Sequence, residues 1–200
     1  MRYELRPPSW LFLSALLALA ACGGSGSGDT SSPGTSSGGS SSSSSSEGTT
    51  FPSPPVDACG ISGFDAAMLD AVNAARATAR YCGADYYPAV APLAWNAQLA
   101  QAAAGHSRDM ADNNYFSHTS LDGRTAAQRV TAAGYAYSYL GENIAAGYGG
   151  IDAVMSGWLA SAGHCANIMN SHYQELGAAC ASNASSTYGD YWTQDFGAPR

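Results

Sequence analysis

The order in which two periodicities succeed each other constrains this fold more than any other feature of the sequence. Phe64, Met68, Leu69 and Val72 recur at helical spacing. So do Leu99, Ala103, His106 and Met110, and later Ile151, Val154, Met155, Trp158 and Leu159. Alternation of strand type comes only near the end, over about 175–181 and 188–196. Helices come early and strands late, and no repeating strand-helix unit exists. That order predicts an α+β fold and excludes a doubly wound parallel sheet.

Local signals set the boundaries. Ser62-Gly63-Phe64-Asp65 has the form of a capping box, with Asp for the usual Glu, and opens a helix over about 64–80. Asn96 is a good N-cap for a helix over about 97–113. Thr125 with Gln128 is a second capping box, opening a short helix that Gly134 closes. The Ile151 helix starts after Gly149-Gly150 and is expected to stop at Gly163. Residues 135–140 alternate aromatic with small or polar side chains and read as extended. Residues 182–187 suit the turn of a terminal hairpin.

Only part of the chain can fold. Residues 23–56 are rich in Ser, Gly and Pro and carry almost no apolar side chain. Such a stretch cannot offset its own ordering entropy, so residues 22–56 read as a tether. Ahead of it, Arg2 and Arg6 precede a short apolar run, Trp10 to Ala21, which has the layout of a signal segment over residues 1–21. Leu19-Ala20-Ala21-Cys22 resembles the lipobox of bacterial lipoproteins. The resemblance implies lipidation at Cys22 and a membrane anchor, with the outer membrane as one destination and plain secretion as the alternative. Residues 57–200 remain, roughly 140 residues, an ordinary size for one domain with a real core.

The formal net charge is −7, and every Lys or Arg position is arginine. An acidic chain without a basic patch argues against nucleic acid as a partner. Export makes disulfides the expected state of Cys59, Cys82, Cys165 and Cys180, which allow three pairings. Short loop closure favours Cys59–Cys82 with Cys165–Cys180. A cysteine zinc site is the competing reading, weakened by the lack of any C-x-x-C pair.

The stretch from Gly141 to Cys180 gathers Glu142, His164, His172 and Glu175, groups able to do acid, base or metal work near neutral pH. His118 lies just upstream in YFSHTSLDG. His106, on an apolar helix face, reads as a satisfied core residue. Tyrosines cluster at 86–87, 135–139 and 188–191, a pattern open to glycan stacking and equally to packing.

LAWNAQLAQAAAGHSRDMADNNYFSHTSLDGRTAAQRVTAAGY, then GENIA, GHCANIM, YQELGAAC and YWTQDFG, together resemble a bacterial CAP-superfamily (SCP-like) domain. The resemblance implies an α-β-α sandwich with helices on both sides of a small antiparallel sheet. It also implies a cleft of two histidines and two glutamates that in some members holds a divalent metal. Carried over, these are His118, Glu142 and His164, while the second glutamate position falls at Ser161. Asn167 is expected to hydrogen-bond backbone beside the cleft. His118 and His164 are then the candidates for holding a divalent metal such as zinc, and Glu142 with His164 the candidate acid/base pair.

Two function classes stay open. One is an extracytoplasmic binding or interaction module for a lipid, glycan or protein, which is preferred. The other is a metal-dependent or acid/base hydrolase. No HExxH helix and no G-x-S-x-G elbow is present to specify a reaction.

Overall fold

A computed structural model describes residues 58–200. The signal segment, Cys22 and the tether lie outside the described residues. Five helices are α1 (Phe64–Arg76), α2 (Ala97–Asp112), α3 (Ala126–Ala132), α4 (Ile151–Ala160) and α5 (Ala162–Ile168). Six strands are β1 (Arg80–Cys82), β2 (Asp85–Tyr87), β3 (Ala94–Trp95), β4 (Tyr137–Ala146), β5 (Glu175–Asn183) and β6 (Gly189–Pro199). The fold is α+β.

The main sheet has the order β3-β5-β6-β4. β5 and β6 form the expected hairpin, Glu175 opposite Gly197 and Asn183 opposite Gly189. β4 pairs antiparallel along the other side of β6. The antiparallel core gains a parallel edge, since two-residue β3 runs parallel to β5. β1 and β2 make a separate hairpin where the sequence shows only a loop.

Side-chain alternation splits the sheet into two faces. Leu176, Ala178, Trp192 and Phe196 pack against Phe64, Met68 and Val72 of α1, Val154 and Trp158 of α4, and Ile168 of α5. On the opposite face, Met110 and Ala111 of α2 meet Ile144, Ala181 and Tyr191. Leu99 and Ala102 of α2 join Val130 of α3 and Tyr135. The result is an α-β-α sandwich.

Local chemistry explains most boundaries. Asn96 caps α2 by accepting from the Gln98 and Leu99 N–H groups. Thr125 and Gln128 form the expected reciprocal box at α3. Three expectations change. α1 ends at Arg76 rather than at about Arg80, where β1 begins instead. The N-cap of α1 is Gly63 in a left-handed conformation, φ 63°, with no side-chain cap bond, so Ser62 lies one position too early. α4 stops at Ala160 rather than Gly163: Ser161 is extended (φ −92°, ψ 123°), and its carbonyl accepts the Cys165 N–H to start α5, which contains Gly163.

The cysteine pairing is the main correction. The bonds are Cys59–Cys180 and Cys82–Cys165, not Cys59–Cys82 and Cys165–Cys180. α1 has 13 residues, about 20 Å at 1.5 Å per residue, and carries the chain away from Cys59 before Cys82 is reached. Cys59 instead lies beside β5, where Ala58 bridges to Cys180. Cys82, on β1, meets Cys165 of α5.

Candidate functional site

Glu142 lies in β4 on the face that carries α2 and α3, directly opposite Asp195 of β6. Its carboxylate has both oxygens engaged. His118, on the loop between α2 and α3, meets Oε1 through Nδ1 at 2.7 Å. Arg129 of α3 donates to Oε2 at 2.5 Å. The Glu142 side chain is 4% exposed and that of His118 56%. A buried anion therefore holds a solvent-facing imidazole. Because Nδ1–H points at the carboxylate, Nε2 is the ring atom left with a lone pair.

Arg129 organises the loop as well as the charge. Its second terminal nitrogen donates to the His118 carbonyl at 3.1 Å, Ser120 Oγ at 3.1 Å and the Arg124 carbonyl at 3.0 Å. His106 supports the same loop from below, its Nε2–H donating to the Ser117 carbonyl at 2.9 Å. Burial and the neighbouring Arg129 charge push the His106 pKa below its ordinary value. His106 is thus a buried, neutral part of the support rather than an apolar-core residue alone.

His164 of α5 belongs to the other face of the sheet, and Asn143 links the two. Asn143 Nδ2 donates to the His164 carbonyl at 3.2 Å. Asn167 Nδ2 donates to the Glu142 carbonyl at 3.1 Å and to Asn143 Oδ1 at 2.9 Å. Burial first, then the His118 charge, lowers the His164 pKa. Two cavities flank this line. One of about 510 Å³ is bounded by His118, Thr125, Tyr137, Leu140 and Glu142. The other, of about 250 Å³, is bounded by Phe116, Tyr148, Trp158, His164 and Tyr188. His118 and Glu142 are joined, and His164 opens into the neighbouring hollow.

The remaining predicted residues stand apart. Ser161 occupies the break between α4 and α5. His172 is exposed and stacks on Tyr139 at 4.5 Å. Glu175 accepts from Asn96 and from the Tyr135 hydroxyl. Two residues passed over in the sequence prove central: Arg129, and Asp195 behind Glu142. A carboxylate inside the strand YWTQDF was the available signal for Asp195.

The donor set bears on a metal. Among the described residues, the one group of three His, Cys, Asp or Glu donors within 4.8 Å of one another is Cys59, Cys180 and Asp190. Its sulfurs are joined in a disulfide, so they are not thiolate ligands. At the cleft, Glu142 is committed to His118 and Arg129. That contact puts Glu142 behind His118, in the position of a group that orients an imidazole.

A family model described as cysteine-rich secretory protein family, CAP, matches residues 69–196. The chain is similar to the uncharacterized membrane protein YlbC of Bacillus subtilis (strain 168), 37% identical over 107 residues, which are 54% of this chain and 29% of that protein. It is similar to the uncharacterized protein YkwD of the same organism, 33% identical over 105 residues, 52% of this chain and 39% of that protein. The match thus spans well under half of each relative. The fold is shared with an outer surface protein from Borrelia burgdorferi, at TM-score 0.51 and 22% identity over 56% of this chain and 80% of that one.

Proposed function

Since this chain belongs to the cysteine-rich secretory protein (CAP) family, we propose that it is an exported binding module whose ligand occupies the cleft beside His118 and Glu142. The observation that carries this reading is the commitment of Glu142. Both its oxygens are satisfied by His118 and Arg129, so it serves as a fixed anchor for the cleft wall rather than as a free base. The adjoining 510 Å³ cavity has a size typical of small-molecule sites, about 300–1,000 Å³. Its lining mixes Leu140 and Tyr137 with Thr125 and His118, which suits an amphipathic ligand such as a lipid or a glycan.

Export is supported by the two disulfides, which persist in oxidising compartments. The leader-like residues 1–21 and the lipobox-like Leu19 to Cys22 support a lipid anchor at Cys22, and a similar protein is described as a membrane protein. The tether would hold the domain off that membrane.

A second reading, hydrolysis, is favoured by one contact: the buried carboxylate engages His118 Nδ1 and leaves Nε2 with the ring's lone pair, on a side chain 56% exposed. A divalent ion such as zinc, held by His118 and His164, would supply a water of lowered pKa. His118 and His164 would bind it through ring nitrogens, and Glu142 would orient His118.

The test measures binding of labelled lipid and glycan panels to the purified full chain, its Leu140→Trp variant and its His118→Ala/His164→Ala variant, with zinc titration alongside. A binding module loses its ligand on filling the cavity wall while keeping its fold. A metallohydrolase takes up zinc, and loses both zinc and turnover in the histidine variant. No ligand in any panel and histidine-dependent turnover would reverse the ranking.

A further inference from the structure

Beneath Glu142 lie three buried polar groups that lack partners and complement one another. Asp195 is 1% exposed and neither of its carboxyl oxygens has a hydrogen-bond partner. His106 is fully buried and its Nδ1 is unpartnered. Arg129 is 5% exposed and its Nε–H is unpartnered. Such groups each forfeit on the order of 1–3 kcal/mol when left dry, so a cluster of them is unexpected in a native core.

Their placement brings them together. Directly opposed residues of antiparallel strands share a face, so Asp195 points to the same side as Glu142. That side is covered by α2, because Gly177, the other partner of Asp195 in the sheet, is in contact with Leu99 and Ala100. His106 belongs to α2, and its neighbour Ser107 bonds Thr193 on the same row of β6. Arg129 reaches in from α3 to Glu142. The charged groups that act on Asp195 are Glu142 from β4 and Arg129 from α3, and His106 of α2 lies within reach of the same two charges and of Asp109 on its own helix. Its partner across the sheet on β5 is Gly177, which brings no charge.

The donors and acceptors then match. His106 Nε2–H is spent on the Ser117 carbonyl, so Nδ1 is an acceptor seeking a donor. Arg129 Nε–H is a donor seeking an acceptor. A protonated carboxyl has one of each. It also leaves Arg129 and Glu142 as a balanced pair, whereas an ionised Asp195 would add an unpaired charge to the core. We infer that Asp195, His106 and Arg129 share a buried water molecule, with Asp195 as the protonated member, and that this assembly positions the Glu142 side chain. Asp195 is a positioning residue. It acts from beneath the cleft, through Glu142, rather than from the cleft wall.

The inference goes beyond the binding reading and is tested without any ligand. Carboxyl carbon NMR of the full chain should report Asp195 protonated at neutral pH, where an ordinary aspartate, with a pKa near 3.9, is ionised. Ring nitrogen NMR should report the His106 Nε2–H tautomer with Nδ1 shifted as a hydrogen-bond acceptor. Asp195→Asn, which can donate and accept, should keep that Nδ1 shift, and Asp195→Leu should lose it. A high-resolution crystal structure should show one ordered water among the three side chains. An ionised Asp195 at neutral pH, or a dry cluster, overturns the inference. The carboxyl measurement on the unaltered chain decides even if Asp195→Leu does not fold.

Discussion

Arg129 and Glu142 form an ion pair across two layers of the sandwich, 2.5 Å apart with each side chain 4% exposed. The guanidinium comes from a seven-residue helix and the carboxylate from a central position of β4. A short helix has little intrinsic stability, so this contact and the carbonyls of the 118–124 loop hold α3 in place. Removing one partner leaves a buried charge alone, which costs about 3–5 kcal/mol. Arg129→Met is expected to lose that much in urea denaturation. Arg129→Lys should fall between, since one ammonium cannot match the planar fork that serves Glu142, His118, Ser120 and Arg124 together.

Gly177 is where α2 touches the sheet. A Cβ built there would lie 2.0 Å from the Ala100 nitrogen and 2.3 Å from the Leu99 carbonyl carbon, both backbone atoms. Neither can yield without moving the helix. Gly177→Ala should therefore cost more than the ~1–3 kcal/mol of ordinary overpacking. Gly105, on α2 itself, has nothing within 4 Å of such a Cβ. Gly105→Ala should instead stabilise by up to about 1 kcal/mol through helix propensity. Chemical denaturation of the two variants checks both signs.

Acid should destabilise the domain through its buried imidazoles. The folded pKa values of His106 and His164 lie below the ordinary 6.5, burial being the first cause of each. The unfolded chain then binds protons that the folded chain refuses. Stability from these groups is complete above about pH 6.5 and declines as pH falls through that value. Melting temperature against pH should show this slope, and His106→Gln should flatten it while keeping a donor toward the Ser117 carbonyl.

The disulfides close long loops, with sequence separations of 121 and 83. Chain entropy gives each about 4.5–5 kcal/mol, and the two differ by only a few tenths because the dependence on length is logarithmic. Peptide mapping of the unreduced protein should recover Cys59 with Cys180 and Cys82 with Cys165. The double Ser variant of either pair should be destabilised by roughly 2–5 kcal/mol. Recovery of Cys59 with Cys82 would contradict the fold.

Hydrophobic period and capping chemistry act over a few residues, and what depends on them was legible. Asn96 and Thr125 start their helices where the sequence places them. The β5–β6 hairpin follows from two alternating segments and a short turn. The motifs around His118, Glu142 and His164 pointed to a shared region, and the strand-loop contact between His118 and Glu142 lies within it. The early β1–β2 hairpin was missed because its segments are three residues each, too short to show a period.

What the sequence alone determined, then, was the kind and order of the longer elements, since these rest on local propensity and on which side of each element is apolar. The packing of layers decided the rest. It joined cysteines 121 and 83 positions apart, and it set the strand register that puts Asp195 against Glu142. It also carried Arg129 from a separate helix to the same carboxylate. Those partners meet only because two helical layers close on one sheet, and no local pattern encodes which buried charge will face which.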